Sequence, residues 1–325
     1  MKKKKAKLKL KKQAYYILAG LVTIIVAVIL GINFYNDYKY KQTTEYKLTE
    51  KGYSLDESKL INEKLSEENI NTLLNEEKND YIINLLNQKY FLEKNLNNYL
   101  AYIEDETEEE IDYADVIAIV NVHADNKWYE IELKTDISLK EKMNVNKFYA
   151  LTNEYTPENL VNIPLDYSYG SEGDNQLIDY AYEKFLDLWQ AANDAGYYLM
   201  VTSSYRNYAD QEEIYEYRKN TLGERKADET AARPGHSEHQ TGLVVDMTSK
   251  TEPDAESFSD SEAYKWLKEN AYQYGWIERY PEDKTYLTGY SPESWHWRYV
   301  GIEVATAMHE ENITYDEYYA FYIES

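Results

Sequence analysis

The sequence has no cysteine among its 325 residues. That excludes thiol nucleophiles, cysteine-ligated metal sites and disulfides, so stability outside a cell would rest on packing alone. Net positive charge is missing from everything after the first 36 residues. Those residues hold eight lysines and no acid; the whole chain is at −24, so the remainder carries −32. A body this acidic repels phosphate backbones, which argues against nucleic acid as a partner. It also keeps the body soluble. No protein partner can be read from the pattern. What the chain does have is length for one to three domains, 43% hydrophobic residues and 36 tyrosines, enough for a proper core.

The lysines of residues 1–13 precede the segment 14–35, AYYILAGLVTIIVAVILGINFY. About 21 of its residues run without a charge, enough to cross a hydrocarbon core of roughly 30 Å as a helix. Tyr15, Tyr16, Phe34 and Tyr35 stand at its ends, as interfacial aromatics do. Lysines before and acids after it predict a single-pass signal anchor in the cell membrane, with the N-terminus cytoplasmic and the acidic body extracellular. A cleaved signal peptide is the competing expectation. It usually has a shorter apolar core and a small-residue cleavage site, which Leu30 to Phe34 does not provide.

Residues 36–144 are expected to form a stalk and a small helical/β accessory module without catalytic groups. Apolar periodicity from Leu55 to Tyr102 predicts short helices, with a weak echo between Asn71–Asn75 and Ile83–Asn87. The acidic run Glu104–Asp112 predicts a solvated loop, with a calcium site as the alternative. The β-branched stretch Ala114–Val122 predicts a strand, and Trp128–Leu133 a second one. His123 is expected to be a surface or packing histidine.

Residues 145–325 are expected to form an α+β domain with a small, mainly antiparallel sheet flanked by helices. Helices are predicted at Gln176–Ala195, ended by Gly196, and at Tyr208–Lys219, Ser261–Tyr274, Gly301–His309 and Tyr315–Ile323. Strands are predicted at Tyr197–Thr202, Leu243–Met247, Gly275–Ile277 and Trp295–Val300, and Leu222–Pro234 as a loop. His309 suits the negative end of its helix.

Candidate chemistry sits in two segments of this domain. PGHSEHQTGLVVD supplies His239 and Asp246, and Glu293-Ser294-Trp295-His296 supplies a second histidine and another carboxylate. Two imidazoles and a carboxylate are good Zn²⁺ ligands, and three of them leave one tetrahedral position for water. Glu293 then remains as a general base. His239 and Asp246 are seven residues apart, so an uninterrupted strand would point them to opposite faces. A turn at Thr241-Gly242 removes that conflict, because glycine tolerates positive φ. In Trp295-His296-Trp297 the period of two sends His296 to one face and both tryptophans to the other, into the core. Tyr299 is expected in the core as well.

Ser237-x-His239-x-x-Gly242-x-Val244-x-Asp246 resembles the S-x-H-x-x-G-x-A-x-D signature of VanY-type D-alanyl-D-alanine carboxypeptidases, in the LAS group of zinc metallopeptidases, with Val244 for the usual alanine. Glu293-Ser294-Trp295-His296-Trp297-Arg298-Tyr299-Val300-Gly301 resembles the family's E-x-W-H-x-R-Y-V-G segment. Ser203-Ser204-Tyr205-Arg206-x-Tyr208-x-x-Gln211 resembles its S-x-Y-R-S-x-x-x-Q segment, with Asn207 in place of serine. Arg279-Tyr280-Pro281, Lys284 and Thr288-Gly289 resemble its R-Y-P-x-x-K-x-x-T-G segment. The resemblance covers about residues 145–310.

The resemblance implies that His239, Asp246 and His296 bind Zn²⁺. Glu293 would relay a proton from water to the leaving amine, and Arg206 would stabilise the oxyanion. Ser237 and Gln211 would hydrogen-bond the substrate. His236 could form a rival pair with His239, but the resemblance passes over it as a ligand. The expected function is a membrane-anchored zinc D,D-carboxypeptidase trimming peptidoglycan stem peptides. An L,D-carboxypeptidase or an endopeptidase would use the same residues. An inactive cell-wall-binding module is the non-enzymatic alternative.

Overall fold

The structure, a computed structural model, describes residues 2–105 and 110–324. The chain divides into two compact units, Met1–Glu93 and Lys94–Ser325.

The first unit is helical. α1 (Lys2–Lys41) is long and apolar enough to cross a membrane, and none of its apolar window is buried. α2 (Thr44–Glu50), α3 (Leu55–Lys64), α4 (Glu67–Asn75) and α5 (Tyr81–Leu86) follow. Ser54 opens α3 with a reciprocal cap to Glu57, which satisfies two N–H groups that the first turn leaves free. Leu48, Ile61, Ile70, Leu73, Ile82 and Leu85 are buried, so each short helix gains its stability from a shared apolar interior.

The second unit opens with α6 (Leu96–Asp105) and α7 (Tyr113–Asn121). The strand expected at Ala114–Val122 is therefore a helix. Asp112 caps it by accepting from the Ala114 and Asp115 N–H groups, and Val116, Ile117 and Val120 are buried at helical spacing. Burial of that face outweighs the β-propensity of branched side chains. The acidic run Glu104–Asp112 begins within α6. Its residues 106–109, with the calcium alternative placed on that run, lie outside the described residues. The strand expected at Trp128–Leu133 shrinks to β1 (Leu133–Lys134), paired in parallel with β2 (Tyr149–Ala150). Sequence suggests a boundary near residue 145, whereas the compact unit starts at Lys94. Tyr286 donates to Asp115 at 2.8 Å, and the Tyr129 and Tyr290 hydroxyls meet at 3.2 Å.

β3 (Leu160–Asn162) pairs antiparallel with β4 (Gln176–Ile178), and α8 (Asp179–Asp194) begins directly after it. The first three residues of the helix expected from Gln176 are thus a strand. β5 (Leu199–Ser203), α9 (Tyr208–Leu222) and α10 (Glu224–Thr230) come next. α10 occupies part of the expected loop. It buries only Ala227, so it shows no apolar period. β6 (Val244–Ser249), α11 (Glu262–Asn270), β7 (Trp276–Glu278), α12 (Thr285–Thr288), β8 (His296–Tyr299), α13 (Ile302–Glu311) and α14 (Tyr315–Tyr322) complete the unit.

The main sheet runs β5-β6-β8-β7, antiparallel throughout, as the α+β expectation has it. Alternation splits its faces. Leu243, Val245, Met247, Trp297 and Tyr299 join the core under α8, around Phe185 and Leu188. Asp246, His296 and Arg298 alternate with them along the same strands and face the other way. Trp297 is 1% exposed. Burying such a side chain stabilises by about 1.5–3 kcal/mol or more, which anchors the strand that carries His296.

Candidate active site and metal centre

The site begins with a tight turn. Glu238–Thr241 form one 3₁₀ turn, and Gly242 closes it at φ 69° with its N–H on the His239 carbonyl at 3.3 Å. The Thr241 hydroxyl donates to the Glu238 carbonyl and accepts from the Leu243 N–H. This turn lets His239 and Asp246 converge although they lie seven residues apart. Asp246 is the cross-strand partner of His296 in the β6–β8 register.

His239 Nε2 is 3.4 Å from Asp246 Oδ1, and His296 Nδ1 is 3.1 Å from the same oxygen. The donor atoms of His239, Asp246 and His296 all lie within 4.8 Å of one another. Ligands about 2.0–2.1 Å from a tetrahedral ion sit about 3.3–3.4 Å apart, so these spacings fit one small metal ion. The tautomer fits too. His239 Nδ1 donates to the Ser204 carbonyl at 2.6 Å, which leaves its Nε2 bare on the Asp246 side. Burial, followed by the Arg206 cation, pushes His239 down to about 4, so it stands as a neutral imidazole. Burial acts to raise the Asp246 carboxyl, but His239 and His296 outweigh it and hold it well below its usual range. Burial would lower His296 as well; Asp246 and Glu238 overcome that and raise it to about 9.

Glu293 stands just before β8. Its Oε2 lies 3.6 Å from His296 Nδ1, and its N–H donates to the Tyr280 carbonyl. Burial, helped by the Asp246 charge and opposed by His296, raises its carboxyl to about 7. Such a carboxylate is poised to exchange protons near neutrality. The Arg206 N–H donates to the His239 carbonyl at 3.2 Å, while its Nε is buried without a partner. Gln211 donates its Nε2 to the Ala232 carbonyl, and its Oε1 is likewise buried and unpartnered.

One cavity of about 180 Å³ gathers all seven residues singled out in the sequence: Arg206, Gln211, Ser237, His239, Asp246, Glu293 and His296. His236 is not among its walls. Its Nδ1 bonds the Asn146 carbonyl at 2.8 Å and its ring meets Tyr129 edge-on, so it does not rival His296. Trp295, expected in the core, is only partly buried and lines the cavity, whereas Trp297 and Tyr299 are core residues. Sequence reasoning missed Tyr280, Tyr290 and Glu238, which also wall the cavity. Glu238 sits between two singled-out residues, and the only hint of its role was the unassigned arginines at 279 and 298.

The comparisons with known proteins fall on this part of the chain. The VanY family model, described as D-alanyl-D-alanine carboxypeptidase, matches residues 174–302. YodJ of Bacillus subtilis (strain 168), named as a carboxypeptidase, is 39% identical over 178 residues, which is 54% of this chain and 65% of that protein. A D-alanyl-D-alanine carboxypeptidase of Enterococcus faecalis (strain ATCC 700802 / V583) is 41% identical over 168 residues, or 48% of this chain and 61% of that protein. This chain thus spans less than two thirds of the length of either. The solved structure of the LdcB LD-carboxypeptidase is 38% identical with a TM-score of 0.52, covering 55% of this chain and 84% of that one. The match takes in every residue that walls the metal centre, and the chain belongs to the VanY family.

Proposed function

We propose that this chain is a zinc carboxypeptidase that removes the terminal D-alanine from peptidoglycan stem peptides. The observation that carries the reading is the convergence of His239, Asp246 and His296 with Glu293 in one cavity of a VanY-family unit. Two imidazole nitrogens and a carboxylate oxygen suit Zn²⁺, and a set of three such ligands among the described residues is the kind that leaves a position for water in a catalytic site. When bound, the zinc ion supplies a Lewis acid that polarises the scissile carbonyl and makes water a stronger acid.

The protein's own groups do the rest. Glu293, as carboxylate, takes a proton from the attacking water and returns it to the nitrogen of the leaving D-alanine. The Arg206 guanidinium, with its Nε free of protein partners, donates toward the oxygen that gains negative charge. Gln211 offers an unpartnered acceptor to a substrate N–H, and Ser237 offers a hydroxyl from the cavity wall. Partial burial of the site strengthens each of these interactions.

α1 is the membrane anchor in this reading. Its lysine-rich start, residues 1–13, stays on the cytoplasmic side, residues 14–35 span the bilayer, and the catalytic unit faces the wall. The small helical unit that follows the span acts as a spacer. Digestion of defined muropeptides by the full chain, with product masses, tests the assignment. Loss of one alanine from a pentapeptide supports it, and no cleavage of any stem peptide overturns it. The likeness to the LdcB LD-carboxypeptidase favours one second reading, removal of the last residue of a tetrapeptide, which the same digestion identifies.

A further inference from the structure

We infer that Glu238 is the positioning residue of the metal centre: its carboxylate holds His296 with Nδ1 bare toward the metal and the proton on Nε2. The inference rests on the reading of His239, Asp246 and His296 as zinc ligands.

The two ring nitrogens of His296 face different partners. Nδ1 looks onto Asp246 Oδ1 at 3.1 Å and Glu293 Oε2 at 3.6 Å, while Nε2 looks onto Glu238 Oε2 at 3.4 Å. A neutral imidazole carries one proton, and whichever nitrogen loses it can bind a metal. A carboxylate only accepts hydrogen bonds. Glu238 therefore draws the proton to Nε2 and leaves the Nδ1 lone pair on the Asp246 side. The partner on the far nitrogen of a ligating histidine sets ring orientation and basicity, and its loss weakens metal binding.

Glu238 is itself held by ion pairs. Its side chain is fully buried, and its Oε1 accepts from Arg279 Nε and Arg298 Nη1, each at 2.9 Å. Arg279 forks onto Asp316 at 2.7 and 3.0 Å. Arg298 spends its other N–H groups on the carbonyls of Tyr299, Glu141 and Met143. Two arginines and two carboxylates balance in charge without His296. A purely structural cluster would need only Oε1, yet Oε2 is aimed at the histidine. β8 delivers both ends of this device, because His296 and Arg298 share one face of the strand.

Two measurements on the full chain in detergent test this. The first needs no variant. In the zinc-loaded protein with ¹⁵N-labelled histidine, His296 is one of five histidines, and its ring should show a protonated Nε2 and a metal-bound Nδ1. The reverse assignment overturns the inference, whatever any variant does. The second compares Glu238→Gln with Asp316→Asn, which loosens the same cluster without touching the Glu238–His296 contact. Zinc affinity is read by chelator competition, and thermal stability on zinc-free protein. Glu238→Gln should lose about 10–100-fold in zinc affinity, and Asp316→Asn should lower stability with less than about threefold loss. Wild-type affinity in Glu238→Gln, or an equal loss in both variants, refutes positioning. Failure of the wild-type chain to bind zinc at all would instead refute the proposed metal centre.

Discussion

Gly242→Ala tests how the turn builds the site. Gly242 sits at φ 69°, and a Cβ there would lie 3.0 Å from Leu160 Cδ2, 3.1 Å from Ile178 Cγ1 and 3.2 Å from Pro157 Cγ. The left-handed conformation costs a non-glycine residue about 1–2 kcal/mol. The three neighbours are side-chain atoms that can give by tenths of an ångström, and mild overpacking adds about 1 kcal/mol. The expected loss is therefore about 2–3 kcal/mol, which for a unit of this size corresponds to a Tm lower by about 4–12 °C. Calorimetry or circular dichroism on zinc-free protein reads it. The turn also aims His239, so a shifted backbone should weaken zinc binding in the same variant. A Tm within about 1 °C of wild type would refute the claim that this position requires glycine, and with it the account of how His239 and Asp246 meet.

Arg206→Lys keeps a cation but loses the planar fork, and should lower kcat by about 10²–10³ with zinc content unchanged; a rise in KM alone would reassign Arg206 to ground-state binding. Glu293 must be ionised to accept a proton, and burial raises it to about 7 in the metal-free site. A nearby bound cation lowers it, so kcat/KM should fall with decreasing pH along a limb between about 4.3 and 7; a profile flat down to the lower value contradicts the role. Lys147 is buried against the Tyr290 ring with its ammonium on the Asp228 carbonyl, and burial, opposed by Asp228, pushes it down to about 7 from 10.5. The unfolded chain binds the extra proton between those values, so stability should rise with pH across that window. Lys147→Met should lack this rise, and denaturant midpoints near pH 7 and above pH 9 should show the gap between the two proteins changing in favour of wild type; a constant gap contradicts it.

The proposed ligands and base, and the glycine turn, were legible as candidates because each occupies a fixed place in a short ordered motif with its own chemistry. The main sheet was legible because Val245, Met247 and Trp297 alternate with Asp246 and His296, a period that both burial and chemistry enforce. Glu238 was not, because its partners Arg279 and Arg298, and Asp316 behind Arg279, come from three separate segments and only the fold unites them. α7 misread as a strand because its branched residues were weighed locally, whereas its apolar face is buried in the second unit. α10 carried too little apolar surface to announce itself. Trp295 was assigned to the core by strand alternation, which does not extend to it, because β8 starts one residue later at His296 and the cavity opens there.

Cleavage of a defined pentapeptide stem by wild type and Glu293→Gln, with zinc content measured on both, tests the central claim most directly. The two proteins should hold equal zinc, wild type should release one D-alanine, and the variant should be about 10²–10⁴-fold slower, the loss expected of a positioned base. Full activity in a zinc-loaded Glu293→Gln protein would contradict it.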